Sequence, residues 1–206
     1  MPVIESGERL VDVRLGGRLL VDTRKQDPAD AFAHLREGVL ERLLTAQTML
    51  PVGIRLLFVE GYRPPSLQRE YLRSTPASCE PPAPAGPPMR STRWRAGTCH
   101  PPRHRAAQRR RGRRPHLVDA DGHELDLGTR MNADPEESAG ACYTHAPYIS
   151  EEARANRKLL GTVLTAAGLV NYPTQWWHWS FGDRYWALLT GKAAALYGPK
   201  ELGSRS

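Results

Sequence analysis

Close to the C-terminal end, PTQWWHWSFGDRYW (residues 173–186) sets His178 among three tryptophans, with Gln175 three residues ahead of it. An imidazole there has two uses. It packs in the core with its nitrogens on backbone partners, or it lends a lone pair to a metal ion. Gln175 can only hydrogen-bond, because an amide takes no proton from water at neutral pH. Upstream, VEGYRPPSLQREYL (59–72) places Arg63 in a proline-rich turn. Taken alone, a guanidinium in such a turn reads more often as a surface or salt-bridge arginine. His100, His104, His116, Asp119, His123 and His145 are further donors that a metal could use, and their plain reading is exposed loop or hairpin residues. Cys142 has no neighbour that would activate a thiol, so it reads as a small packed residue.

The flanking elements are regular. Leu10–Arg14 and Leu19–Asp22 read as strands joined through Gly16-Gly17 as a hairpin. Asp27-Pro28 opens a helix whose buried stripe is Phe32, Leu35, Val39, Leu43 and Ala46. Gly53–Glu60 is a mostly buried strand, followed by the Gly61–Ser66 turn and a short helix carrying Leu67, Tyr71 and Leu72. Leu117–Asp119, the Asp121-Gly122 turn and Glu124–Leu127 make a second hairpin. Ser150 caps a helix with Leu159, Leu160, Val163, Leu164 and Ala167 on its buried face, and Gly168 stops it. Leu169–Tyr172 and Gln175–Ser180 complete the strands. The pattern predicts one α+β domain over residues 1–206, a mainly antiparallel sheet with packed helices.

Residues 74–116 break this regularity. They contain no Leu, Ile, Val, Phe or Tyr, and Pro, Ala, Gly and Arg supply 28 of the 43 positions. Such a segment cannot bury enough apolar area to offset its ordering entropy and should be disordered when left alone. The charge is equally local. Ten arginines and no acid lie between Arg90 and Arg114, so the formal net charge of +7 becomes +7 − 10 = −3 without them. The basicity therefore belongs to one patch and not to the protein around it. No stretch approaches the roughly 18 apolar residues of a membrane span, and MPVIESGERL lacks the basic start and apolar run of a secretory leader. With three cysteines that form neither a CxxC pair nor a disulfide framework, a cytoplasmic setting is expected.

Read together, VEGYRPPSLQREYL, GACYTHAPYISEEARANRKLL (140–160) and PTQWWHWSFGDRYW resemble the zinc-dependent D-alanyl-D-alanine dipeptidase family in order and spacing. The likeness covers residues 8–73 and 117–198, about seven-tenths of the chain. It implies a Zn2+ held by two histidines and an aspartate with one position left for water, and a small dipeptide such as D-Ala-D-Ala as substrate in peptidoglycan precursor metabolism. It also implies a glutamate base three residues before the last histidine and an arginine that stabilises the tetrahedral intermediate. By match of motif, His178 stands at the last ligand, Arg63 at the arginine and Gln175 at the base.

Two departures follow. Gln175 replaces the base, which is worth about 10²–10⁴ in rate. The family motif H-x-x-G-x-A-x-D, which supplies the other two ligands, is absent, and its place falls near Ala107 and Arg114, inside the anomalous segment. Written in GC-rich codons and read one base later, Ala106–His116 yields P-H-S-G-G-A-A-V-D-L, which restores that motif in register. A frameshifted passage in a dipeptidase gene thus accounts for both the composition and the missing ligands, and it predicts an inactive or impaired chain. The alternatives are an inactive relative that still binds a small peptide, and an arginine-rich arm for nucleic acid working through phosphate contacts. Such an arm would explain the charge, yet not the replacement of an enzyme's interior, and no specific nucleic acid is expected.

Overall fold

The computed structural model describes residues 1–24, 27, 30–62, 64–66, 69, 115–200 and 202. Among them lie strands β1 (Leu10–Asp12), β2 (Leu20–Val21), β3 (His34–Arg36), β4 (Arg55–Phe58), β5 (Pro115–Val118), β6 (Val170–Tyr172) and β7 (Gln175–Ser180). The helices are α1 (Glu37–Thr48), α2 (Glu151–Ala166) and α3 (Arg184–Leu189). The expected α+β domain is present, with the strands divided into three small sheets: β1 with β3, β2-β4-β5, and β6 with β7. All pairings are antiparallel except β2 with β4.

The best-formed helix, α2, has the simplest sequence logic. Ser150 accepts a hydrogen bond from the Ala153 amide at 3.0 Å, Glu151 and Glu152 sit in the first turn, and Gly168 leaves the helix at φ +85°. Its inner face sets Ala153, Leu160, Val163 and Leu164 against α1 and strands β5 and β6. Val39, Leu40, Leu43 and Ala46 of α1 close the same core, with Leu56, Phe58 and Leu117 beneath them. Leu169, Trp176 and Trp177 fill its far end. Truncating a fully buried leucine such as Leu43 or Leu160 costs about 2–5 kcal/mol.

Two expectations for the N-terminal part are corrected. Leu10–Asp12 and Leu20–Val21 do not pair with each other. β1 runs against β3, with Val11 opposite Leu35, while β2 joins β4 in parallel. Gly16 and Gly17 do adopt positive φ, but the loop from Val13 to Leu19 carries the chain from one sheet to another. Asp27 is not the N-cap: its carboxylate accepts from the Ala31 and Phe32 amides at 3.1 and 2.8 Å, but the N-cap residue is Asp30. The element that follows is a single 3₁₀ turn, Ala31–Ala33, and α1 begins only at Glu37. Phe32 and Leu35 are buried as expected, yet off the helix, because pairing with β1 competes for the intervening residues.

The anomalous segment meets the fold at β5. Pro115 and His116, assigned from sequence to the disordered stretch, lie in strand, opposite Phe58 and Leu57. Residues 71–114 lie outside the described residues, as do Leu67 and the expected disorder itself. The second hairpin is present in reduced form: Val118 bridges Glu124, the Leu125 amide donates to the Leu117 carbonyl, and Glu124–Leu127 forms no continuous strand.

The two ends of the chain close on each other. Val3 bridges Ala195, the Ile4 and Ser6 amides donate to the Ala195 and Leu196 carbonyls, and the Tyr197 hydroxyl donates to Glu8 at 2.8 Å.

Candidate active site

β7 presents the chemistry. Five of its six residues are buried, and His178 is 6% exposed. Its Nδ1 lies 3.1 Å from Oε1 of Gln175, and the Tyr172 ring is tilted against the imidazole at 5.5 Å. With the amide oxygen as acceptor, Nδ1 is the donor and the lone pair resides on Nε2. This is the form in which a histidine ligates a metal or accepts a proton. Gln175 therefore orients the ring in place of taking a proton.

β7 is held from below. The Trp176 amide donates to the Cys142 carbonyl at 3.1 Å, and the Thr144 amide donates to Pro173 at 2.9 Å. The Trp176 indole N–H donates to Thr129 Oγ1 at 2.9 Å. Beneath the loop lies Arg157, a residue that the sequence reading missed. It is 6% exposed and donates to the carbonyls of Leu127 and Tyr143 at 2.7 Å and of Ala141 at 2.8 Å, with its guanidinium 5.5 Å from the Trp176 ring. Burial pushes its pKa down to about 10, still charged at neutral pH. The available signal was periodic: Ala153, Arg157, Leu160 and Leu164 share one helical stripe, and an arginine on an apolar stripe needs internal acceptors.

Gln175 and His178 are thus brought together. Arg63 lies outside the described residues, but its approach is defined at Gly61. The Gly61 amide donates to the Phe32 carbonyl at 2.9 Å, and a Cβ there would meet the His34 carbonyl oxygen and the Phe58 ring, each at 2.6 Å. Only glycine lets the chain pass so close to β3 ahead of Tyr62.

His100 and His104 also lie outside the described residues, and His145 is exposed. His116 corrects the expectation of an exposed residue. It is 6% exposed and its ring stands edge-on to Trp176 at 5.6 Å. Nδ1 accepts from the Leu117 amide at 2.8 Å, and Nε2 faces a Glu124 carboxylate oxygen at 3.2 Å. Arg24 joins Glu124 to Asp22, and the hydrogen bond from Arg24 holds the Asp22 carboxyl below its ordinary pKa. Desolvation lowers the pKa of His116, against the attraction of Glu124. Cys142 is buried, as a packed small residue should be.

Among the described residues, three potential metal donors converge at Asp119, Asp121 and His123, with ligand atoms within 4.8 Å of one another. That turn does not include His178. The Asp119 carboxylate already accepts from the Asp121 and His123 amides at 2.9 and 2.8 Å, which closes the turn. Among the described residues, the donors around His178 do not make up a zinc ligand set.

The decisive comparison is with sequence families: residues 23–191 match the D-ala-D-ala dipeptidase peptidase family. The chain belongs to that family. Within this D-ala-D-ala dipeptidase fold, the Gln175–His178 strand, the Arg157 support and the Gly61 turn all fall inside the matched range. A D-alanyl-D-alanine dipeptidase from Synechocystis sp. is 31% identical over 78 residues, covering 34% of this chain. The aligned stretch spans about a third, 32%, of that relative's length. No helix among the described residues is long and apolar enough to cross a membrane.

Proposed function

We propose that the scaffold is that of a zinc-dependent cytoplasmic dipeptidase acting on D-Ala-D-Ala or a similar small dipeptide in cell-wall precursor metabolism, and that the chain as written is inactive or severely impaired. The single observation that carries the second half is the Gln175–His178 pair: an amide stands at the base position, 3.1 Å from the ring it orients. Arg63 is the residue that would stabilise the developing oxyanion, and His178 the surviving ligand. Membership of the family supports the substrate class. The frameshift of residues 74–116 explains why the remaining ligands are missing from a single dipeptidase-like domain spanning 1–206. In the shifted reading the aspartate precedes His116 by two residues.

The test is direct. The purified chain should hold far less than one zinc per molecule and should not hydrolyse D-Ala-D-Ala. Stoichiometric zinc with measurable turnover would overturn the reading. The nucleotide sequence between the codons of Arg73 and Leu117 should contain, in another frame, a histidine and an aspartate seven codons apart. In a chain rebuilt with that frame, Gln175→Glu should raise kcat by about 10²–10⁴ while KM changes little.

A further inference from the structure

We infer that Asn171 is the positioning residue that holds Gln175 against His178. The inference rests on the functional reading just given, in which that pair is the remnant of the site. The Asn171 side-chain amide donates to the carbonyl of His178 at 3.0 Å and reaches those of Gln175 and Trp176 at 3.4 Å. Carbonyls of successive strand residues ordinarily point to opposite sides. Here the ladder is irregular between Asn171 and Tyr172: Asn171 pairs with Trp179, but Tyr172 pairs with Gln175, and one side-chain amide spans the interruption.

The amide is itself fixed. Thr144 Oγ1 donates to Asn171 Oδ1 at 2.5 Å, the Thr144 amide ties the same loop to Pro173, and the Tyr185 hydroxyl donates to the Asn171 carbonyl at 3.1 Å. Asn171 therefore supplies N–H groups that the interrupted ladder cannot, with its own oxygen satisfied. The consequence reaches the site through register. Without that amide the strand can relax toward regular pairing, and a one-residue slip carries a side chain to the opposite face. Residues three apart face opposite sides of a regular strand, so the irregular step at Gln175 is what lets its Oε1 meet Nδ1 of His178.

The experiment uses the full-length chain and ring ¹⁵N shifts of His178, assigned among the seven histidines by their loss in His178→Gln. In mildly alkaline buffer, where imidazole is neutral, the wild-type ring should carry its proton on Nδ1. In Asn171→Ala the two ring nitrogens should converge toward an exchange average, and Thr144→Val should move them part of the way. Asn156→Ala removes another side-chain amide that donates to a backbone carbonyl, that of Asp126 at 2.9 Å, and should leave His178 unchanged at a similar loss of stability. Unaltered His178 shifts in folded Asn171→Ala would overturn the positioning role. Should that variant not fold, a scalar coupling across the hydrogen bond from Asn171 to the His178 carbonyl in the wild-type chain decides, and its absence overturns the proposal. A wild-type ring protonated on Nε2 would instead defeat the Gln175–His178 pairing behind the functional reading.

Discussion

Two histidines, each 6% exposed and each against an aromatic ring, are buried beside different hydrogen-bonding partners. His178 has a neutral amide beside it and backbone carbonyls gathered by Asn171 behind it. His116 faces Glu124, which is tied through Arg24 to Asp22. Equal burial thus has unequal meaning. At His178 the Gln175 amide oxygen takes the Nδ1 proton, which leaves the lone pair on Nε2. Around His116 charge is plentiful, and desolvation opposes the attraction that Glu124 offers. Burial alone identifies neither a ligand nor a structural histidine; the partners do.

The comparison can be broken most violently from below. Arg157→Leu should destabilise the protein by about 3–5 kcal/mol, because several buried carbonyls lose their donor at about 1–3 kcal/mol each and the loop that carries β7 loses its support. Urea denaturation measures this, and a loss under 1 kcal/mol would mean that the guanidinium is dispensable. Gly61→Ala acts on the other side, near β3 and β4. The added methyl meets a backbone oxygen at 2.6 Å, and overpacking of this kind costs about 1–3 kcal/mol. A thermal midpoint equal to wild type would show that the close approach relaxes freely.

The difference between the two imidazoles is sharpened by pH. His116 titrates lower when folded than when unfolded, so its stabilising contribution is complete above the unfolded pKa of about 6.5. It is lost as pH falls through the folded value, since the unfolded chain then binds the proton first. Stability should therefore decline on acidification below neutrality, and His116→Asn should flatten that part of the profile. An identical slope in both proteins would remove His116 as the cause. The smallest effect belongs to the exposed turn: His123→Ala should change stability by no more than about 0.5 kcal/mol, measured in the same urea series.

Much of this was legible in the sequence, and for different reasons. α2 announced itself because a serine cap, acidic first turn, 3.6-residue stripe and terminal glycine all agree. The strand of Gln175 and His178 was also readable, and the likeness to the dipeptidase family singled out both residues. The N-terminal misreadings share a cause. Glycine pairs and capping acids report local backbone geometry, whereas the pairing of β1 with β3 and the 3₁₀ turn after Asp27 are decided by distant partners. Asn171 and Arg157 escaped notice for a related reason. Their role is to satisfy backbone carbonyls, and no side-chain pattern advertises which carbonyls a fold will leave without donors. His116 was placed on the wrong side of the surface because the composition around it speaks of disorder, while its two-residue foothold on β4 is fixed by Leu57 and Phe58.

The contact between residues 3–8 and 195–197 carries a consequence for folding. Val3, Ile4 and Ser6 meet Ala195 and Leu196, and Glu8 meets Tyr197, while Glu5 and Glu8 are also held by Arg36 and Gly38. The nearer contacts can therefore anchor residues 5–8 early, whereas the long-range ones need a large loop closed before they are rewarded and should form late.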